Sequence, residues 1–308
     1  MILSQPSSNG ADPLSDVLAA LGARSIRRTR LEAAGRWGLA FPAQARLKFV
    51  ALLRGAAWLV LPGQPPVAIA AGDVCLLGQT AYAVVSSPDV APVDGRALYA
   101  GPDNDVVRLG GDETVMLGGG IAFADDMAGF LLDALPDVIL LPAATDAAAM
   151  MTALLAMLEA EVTRPRAGST LVAARLAEIL LVEAIRSQAA DAVARPGWIA
   201  ALADPQIGAA LRLMHRAVAH PWTVEALARA TGMSRSAFAA RFLAQVGQPP
   251  QAYLRHWRMV LAQAMLRSGN SSIAVVAEQV GYASHSAFAA AYHRHFGYPP
   301  GRARRGKL

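Results

Sequence analysis

The 308-residue sequence has one cysteine, two lysines and no histidine before position 215. A lone Cys75 excludes a disulfide within the chain and fits a reducing compartment. Because His215, His220, His256, His285, His293 and His295 all fall in the last third, the remainder cannot supply a mononuclear metal site of imidazoles plus a carboxylate. No metal or other cofactor is therefore expected. No run reaches the roughly 18 to 20 apolar residues that a bilayer demands, and the longest candidate, 147–158, has the length of a buried helix. The first residues lack the basic-then-apolar pattern of a secretory signal, so a cytoplasmic location without a membrane partner is expected. Lysine occurs only at 48 and 307, with arginine carrying the rest of the positive charge, which reads as codon bias. Acids are scarce at the end of the chain: residues 204–308 hold Asp204, Glu225 and Glu278 against thirteen Arg or Lys, a net of +10, while residues 1–203 carry −5. A basic portion joined to an acidic one implies a polyanionic partner for the basic portion alone.

An apolar content of 54% and this length allow two buried cores. From Arg24 to Phe123 short β-type runs (47–53, 57–61, 67–69, 74–77, 82–86, 114–117) are broken by Gly55, Pro62-Gly63, Pro65-Pro66, Gly72-Asp73, Pro88 and Gly118-Gly119-Gly120. The spacing predicts an all-β barrel or sandwich. The turn Gly72-Asp73 before an apolar strand, the run Phe49 to Gly55 and the late Val115-Met116-Leu117-Gly118-Gly119 resemble cupin barrels, in which Tyr82 takes roughly the place of a metal-binding histidine. A metal-free pocket for a small molecule is the remaining expectation, with Trp37, Phe41, Phe49, Trp58 and Tyr82 as candidate lining and plain core as the alternative for them. Cys75, in Val74-Cys75-Leu76-Leu77 with no basic neighbour, reads as a buried inert thiol. The three glycines lack the Gly-Lys-Ser/Thr ending of a phosphate loop and predict a hairpin turn.

After Pro142 the pattern turns helical. Asp146 is placed to cap a run carrying Met150, Met151, Leu154, Leu155 and Leu158, and a second helix spans 169–188. Both are apolar over more than one face, which suggests packing on the barrel together with a dimer interface. The expected division is a cupin-like sensor at 1–142, a helical linker and dimerisation segment at 143–203, and an all-α domain at 204–308, an α+β multidomain chain.

The last domain repeats itself. Thr223-Val224-Glu225-Ala226-Leu227-Ala228-Arg229-Ala230-Thr231-Gly232 and Ser272-Ile273-Ala274-Val275-Val276-Ala277-Glu278-Gln279-Val280-Gly281 each lead into Ser-Ala-Phe-Ala-Ala, at 236–240 and 286–290. Each copy predicts a helix, a glycine turn and a second helix, at 223–246 and 272–296, the form of a DNA-reading module. Asp204-Pro205 starts a leading helix with Ile207, Leu211, Met214 and Val218 inside, stopped by Pro221. A helix from Pro249 to Arg267, of the order of 27 Å long, joins the modules and could set two recognition helices in successive major grooves.

Pro196-Gly197-Trp198, Asp204-Pro205-Gln206-Ile207-Gly208, His220-Pro221-Trp222-Thr223-Val224-Glu225 and Met233-Ser234-Arg235-Ser236-Ala237-Phe238 resemble the AraC/XylS family of bacterial transcription regulators, in the subgroup with a histidine-poor cupin-like sensor. The resemblance implies a regulator, expected to activate, that binds double-stranded promoter DNA, contacts RNA polymerase, answers a small molecule or stress signal and has no enzymatic activity. The outward first turns of the second helices would meet DNA: Ser234, Arg235, Ser236, Ala239, Ala240 and Arg241 in one module, and Ser284, His285, Ser286, Ala289, Ala290 and Arg294 in the other. The alanines depart from the family, since alanine can meet only a thymine methyl or permit close approach. Phosphate contacts from Arg235, Arg241, Arg255, Arg258, Arg294 and the Arg302-Arg304-Arg305 tail would carry more of the affinity. Two rival readings are a non-specific architectural binder and a DNA-modifying enzyme targeted by the same domain.

Overall fold

The structure, a computed structural model, describes residues 12–101, 104–123, 127–143, 148–164, 166–190 and 196–305. In chain order its first elements are α1 (Pro13–Ala20), β1 (Arg24–Ala33), β2 (Gly38–Phe41), β3 (Leu47–Arg54), β4 (Ala56–Val60), β5 (Val67–Ala70), β6 (Val74–Leu77) and β7 (Tyr82–Val85). Then follow β8 (Val93–Asp94), α2 (Gly95–Leu98), β9 (Val106–Leu109), β10 (Thr114–Ala122), α3 (Gly129–Leu132), β11 (Val138–Leu141), α4 (Ala148–Thr163) and α5 (Ser169–Ala190). The helical end comprises α6 (Trp198–Ala201), α7 (Pro205–Arg216), α8 (Val224–Ala230), α9 (Arg235–Val246), α10 (Pro250–Ser268), α11 (Ile273–Gln279), α12 (His285–Phe296) and α13 (Pro300–Arg305). The α+β reading holds, with a β-rich portion followed by a helical one.

Two units divide the chain, and neither is continuous in sequence. One takes the described residues of 24–123 and 135–188, the other those of 1–23, 124–134 and 189–308. In the β unit a six-stranded sheet, β11-β6-β3-β10-β1-β9, accompanies a five-stranded sheet, β5-β4-β7-β2-β8. Between them Leu31, Leu39, Val50, Leu52, Leu59, Cys75, Val84 and Met116 form a single apolar core, as period-two alternation on half-buried strands requires. Every predicted run appears as a strand. β1 escaped prediction because its sequence, RSIRRTRLEA, is full of arginine. Two of its charges are met within the unit: Arg30 Nε donates to Glu32 of the same strand at 2.8 Å and Arg30 Nη1 to Glu159 of α4 at 3.2 Å, while Arg108 of β9 donates to Glu32 at 2.9 Å.

The predicted hairpin at Gly118-Gly119-Gly120 is wrong. All three residues lie inside β10, paired with Val50, Phe49 and Lys48 of β3. Glycine is needed for close approach: a Cβ on Gly119 would sit 2.3 Å from Cε1 of Phe49, and one on Gly118 would sit 2.7 Å from Oγ1 of Thr29. α4 and α5 bury Met151, Leu154, Leu155, Leu158, Leu176, Leu180 and Ile185, and leave Met150, Met157, Leu171, Val172 and Ile179 exposed. The proposed cap Asp146 lies outside the described residues.

In the helical unit the repeat is visible in the packing. Phe238 and Phe242 of α9 lie 5.6 Å apart at 53°, and Phe288 and Tyr292 of α12 lie 5.7 Å apart at the same angle. All four side chains are fully buried. Two earlier pieces of chain join this core. Phe130, in α3, is enclosed by Trp198, Tyr253, His256 and Trp257, with Trp198 Nε1 donating to its carbonyl at 3.0 Å. Asp16 of α1 reaches to within 3.4 Å of His215 Nδ1, whose Nε2 pairs with the Tyr253 hydroxyl at 2.7 Å. Burial outweighs that carboxylate and holds His215 below the usual imidazole range. α7 ends at Arg216 instead of running to Pro221, leaving Val218 outside it and half-buried. The carbonyls beyond it are taken by other donors: Trp222 Nε1 binds Ala217, and Arg258 binds Val218 and His220 at 2.9 and 2.8 Å.

Gly119→Ala should cost about 1–3 kcal/mol of stability, the usual penalty for forcing a packed core apart. Urea unfolding checks it; a variant as stable as the parent would show that Phe49 does not need the glycine.

Candidate nucleic-acid interface

α9 and α12 begin in the same way. Ser234 Oγ accepts from Ala237 N–H at 3.3 Å and Ser284 Oγ accepts from Ala287 N–H at 3.1 Å, each satisfying a donor that the first turn would otherwise leave open. Each cap serine also lies near the serine two residues on, Ser236 at 3.5 Å and Ser286 at 3.0 Å. The preceding turns need a left-handed residue, supplied by Gly232 (φ +70°) and Gly281 (φ +80°). At Gly281 a side chain would also strike the Ala219 carbonyl, its Cβ lying 2.6 Å away.

With Phe238, Phe242, Phe288 and Tyr292 turned inward, the opposite faces are open. Arg235, Ser236, Ala240, His285, Ser286, Ala290 and Arg294 are exposed, whereas Ala239 and Ala289 are half-buried at the edge. Each helix therefore presents small side chains at its centre and polar ones at its start, a surface that a groove could approach closely.

Two of the arginines expected at phosphates are engaged within the unit. Arg241 pairs with Asp204 through Nη2 and donates from Nη1 to Gln206 Oε1 at 2.8 Å. Arg258 holds the carbonyls after α7. Arg255 and Arg304 are exposed, Arg302 lies 5.5 Å from the Tyr298 ring, and the Arg305 side chain is outside the described residues.

Asp204 is the junction of this surface with the rest of the unit. It caps α7 by accepting from Gln206 N–H at 2.9 Å and Ile207 N–H at 2.8 Å, and it also accepts from Gln245 Nε2 at 2.8 Å. Burial alone would raise its pKa. The bonds from Gln245, Ile207, Arg241 and Gln206 overcome that and bring it down to about 2.

The chain matches the cupin family over residues 12–190 and a helix-turn-helix domain over residues 227–306. A Streptomyces antibioticus protein carrying the name AraC-like transcription regulator is 42% identical over 296 residues, covering 94% of this chain and 97% of its own. A protein of that name from Streptomyces lividans matches at the same identity and coverage. The chain belongs to the AraC-like transcription regulators. Among solved structures, the DNA-binding domain of AdpA in complex with a target DNA is 28% identical and covers 33% of this chain and 92% of that one, with a TM-score of 0.32.

The β unit of this AraC-like regulator encloses a cavity of about 260 Å³. Of the five aromatic residues expected there, Phe41 and Tyr82 line it, with ring centroids 5.0 Å apart. Trp37 is packed in the core. Phe49 lies across Gly119 on the face of β3 opposite Lys48 and Val50, and Trp58 is half-buried on the far side of β4. The polar lining comes from residues that the aromatic pattern did not single out: Thr29, Arg46, Lys48, Arg96 and Tyr99. One signal was available, a lysine in a chain with only two, set in the apolar run Leu47 to Leu53. Cys75 is buried in the core and its thiol is pushed up to about 12, first by burial and then by Asp73.

The Asp204 carboxylate has a folded pKa below its unfolded one, so its contribution is complete above about pH 4 and is lost as pH falls through about 2. Asp204→Asn should cost about 2 kcal/mol at pH 7, with the deficit shrinking as pH drops from 4 towards 2. Urea titrations of both proteins across that range check the sign; a deficit that grows in acid would refute the linkage.

Proposed function

We propose that this regulator binds double-stranded promoter DNA by placing α9 and α12 in the major groove, each entering by its capped first turn. Arg235, Ser236, His285, Ser286 and Arg294 supply the polar contacts, with Arg255 on the phosphates. Ala239, Ala240, Ala289 and Ala290 let the backbone approach and meet thymine methyls. Ser234 and Ser284 hold the helix starts, and Arg241 fixes α9 through Asp204. What carries this reading is the pair of identically capped, open-faced helices on a portion of chain with net charge +10. With so few side chains available for base edges, sequence is read largely through DNA shape and deformability.

The barrel acts as the sensor for a small-molecule effector, and the protein recruits RNA polymerase as a cytoplasmic activator. β10 offers a covalent route for the signal. It lines the cavity with Leu117 to Gly120, and the chain that follows it supplies Phe130 to the aromatic core of the DNA-binding unit. No catalysis is assigned: the single thiol is buried with its pKa raised, the opposite of an activated nucleophile. The exposed Met150, Met157, Leu171, Val172 and Ile179 on α4 and α5 pair two copies as a homodimer.

Competition binding separates a promoter-specific regulator from an architectural protein. A promoter duplex isolated by co-precipitation from cells should outcompete random duplex at physiological salt, and equal affinity would favour the architectural reading. Arg235→Ala should weaken binding across sequences and reduce the slope of log K against log salt by about one; an unchanged slope would remove Arg235 from the phosphate contacts. Sedimentation equilibrium at tens of micromolar should return a dimer that Ile179→Glu dissociates, whereas a monomeric parent would sink the interface.

A further inference from the structure

Among the described residues, the cavity in the β unit is lined by three cations, Arg46, Lys48 and Arg96, and no carboxylate. Lys48, on β3, is only 6% exposed. Its ammonium donates to the Pro42 carbonyl at 3.2 Å and lies 5.0 Å from the Tyr82 ring centroid and 5.7 Å from that of Phe41. Arg46, in the loop before β3, has a buried Nε without a hydrogen-bond partner. Arg96, at the edge, is engaged by Asp94 through Nη2 at 3.1 Å and Nε at 3.2 Å. The other walls are apolar, built from Leu31, Leu39, Val50, Val84 and Met116.

A buried ammonium facing one carbonyl and two aromatic rings is under-compensated, because burial of charge is repaid only by a counter-charge with good geometry. The strain registers in Lys48 itself, whose pKa is pulled down to about 8 by burial first and then by Arg46 and Arg96. An orphaned guanidinium N–H beside it adds a second unmet donor. Apolar walls exclude a ligand studded with hydroxyls, which would leave most of its hydrogen bonds unmade. The volume, about 260 Å³, exceeds the roughly 150 Å³ in which a benzene ring is held, so a ring system bearing an acid group fits.

We propose that this cavity is an anion site for a small monocarboxylate with an apolar body, the carboxylate bridging Lys48 Nζ and the Arg46 guanidinium while the body packs on Leu31, Leu39, Val84 and Met116. The site deepens the sensor reading given above and rests on it for its regulatory meaning, though not for its existence. Lys48 is then the counter-charge that the ligand completes, and Arg96 guides the anion in from the rim.

Isothermal titration calorimetry on the full chain at pH 7 provides the test, with 2-naphthoate, cinnamate and octanoate as probes and 2-naphthamide as the uncharged counterpart of the first. At least one carboxylate should bind once per chain, with 2-naphthamide at least about tenfold weaker than 2-naphthoate. Lys48→Met should lower affinity for the carboxylates by a similar factor and leave the amide unchanged; Arg46→Gln, at a half-buried loop position, provides the same comparison should Lys48→Met not fold. Absence of binding by all three at millimolar concentration, equal binding of acid and amide, or undiminished binding by the variants would each overturn the proposal. Duplex affinity measured with and without the bound carboxylate separates the two readings. An unaltered affinity keeps the anion site and removes its effector role.

Discussion

One carboxylate holds α9 in place. Asp204 caps α7, receives Gln245 and pairs with Arg241, so the start of one helix and the middle and end of another meet at a single half-buried charge. Such a group is stable only when every lone pair is used, and here it is, which is why its pKa falls despite burial. The arrangement ties Arg241 into the packing of α7 against α9. The first turns of α9 and α12, capped by Ser234 and Ser284, stay exposed.

The β unit shows the opposite condition. Among the described residues, no carboxylate lines the cavity that buried Lys48 faces, and neither the Pro42 carbonyl nor the two rings replaces one. A fully compensated charge such as Asp204 makes a fixed joint, while an under-compensated one makes a place where a ligand can change the energy. β10 touches both parts of the problem. Its glycines line the cavity, with Gly119 leaving room for the Phe49 ring on the other face and Gly118 for Thr29, and the chain leaving β10 carries Phe130 into the core around Trp198, Tyr253 and Trp257.

Legibility followed the range of the interactions. Serine caps, phenylalanines four apart and apolar alternation act within a few residues, so α7, α9, α12 and the strands from β3 to β7 could be read directly from residue order. The arginine-rich β1 could not, because Glu159, which pairs with its Arg30, and Arg108, which pairs with its Glu32, lie far along the chain. Arg241 reads as a solvated phosphate binder until Asp204, 37 residues away, is brought beside it. The aromatic residues nominated for the cavity split between Phe41 and Tyr82, which line it, and Trp37, Phe49 and Trp58, which do not. Strand parity turns Phe49 and Trp58 away from the interior, which depends on pairing register, whereas Trp37 shares the parity of Leu39 and Phe41 but precedes β2 and packs in the core.

By itself, then, the sequence determined an α+β chain with a strand-built front, twin helix-turn-helix modules at the end and a charge imbalance between them, since each is a property of local periodicity or composition. Only the tertiary structure decided that Gly118 to Gly120 are strand and not turn, that Phe130 and α1 belong to the helical unit, that Arg241 is a clamp and that Lys48 faces a cavity. Those four depend on which distant residue arrives opposite, and the geometry of approach, unlike periodicity, is not written in neighbouring positions.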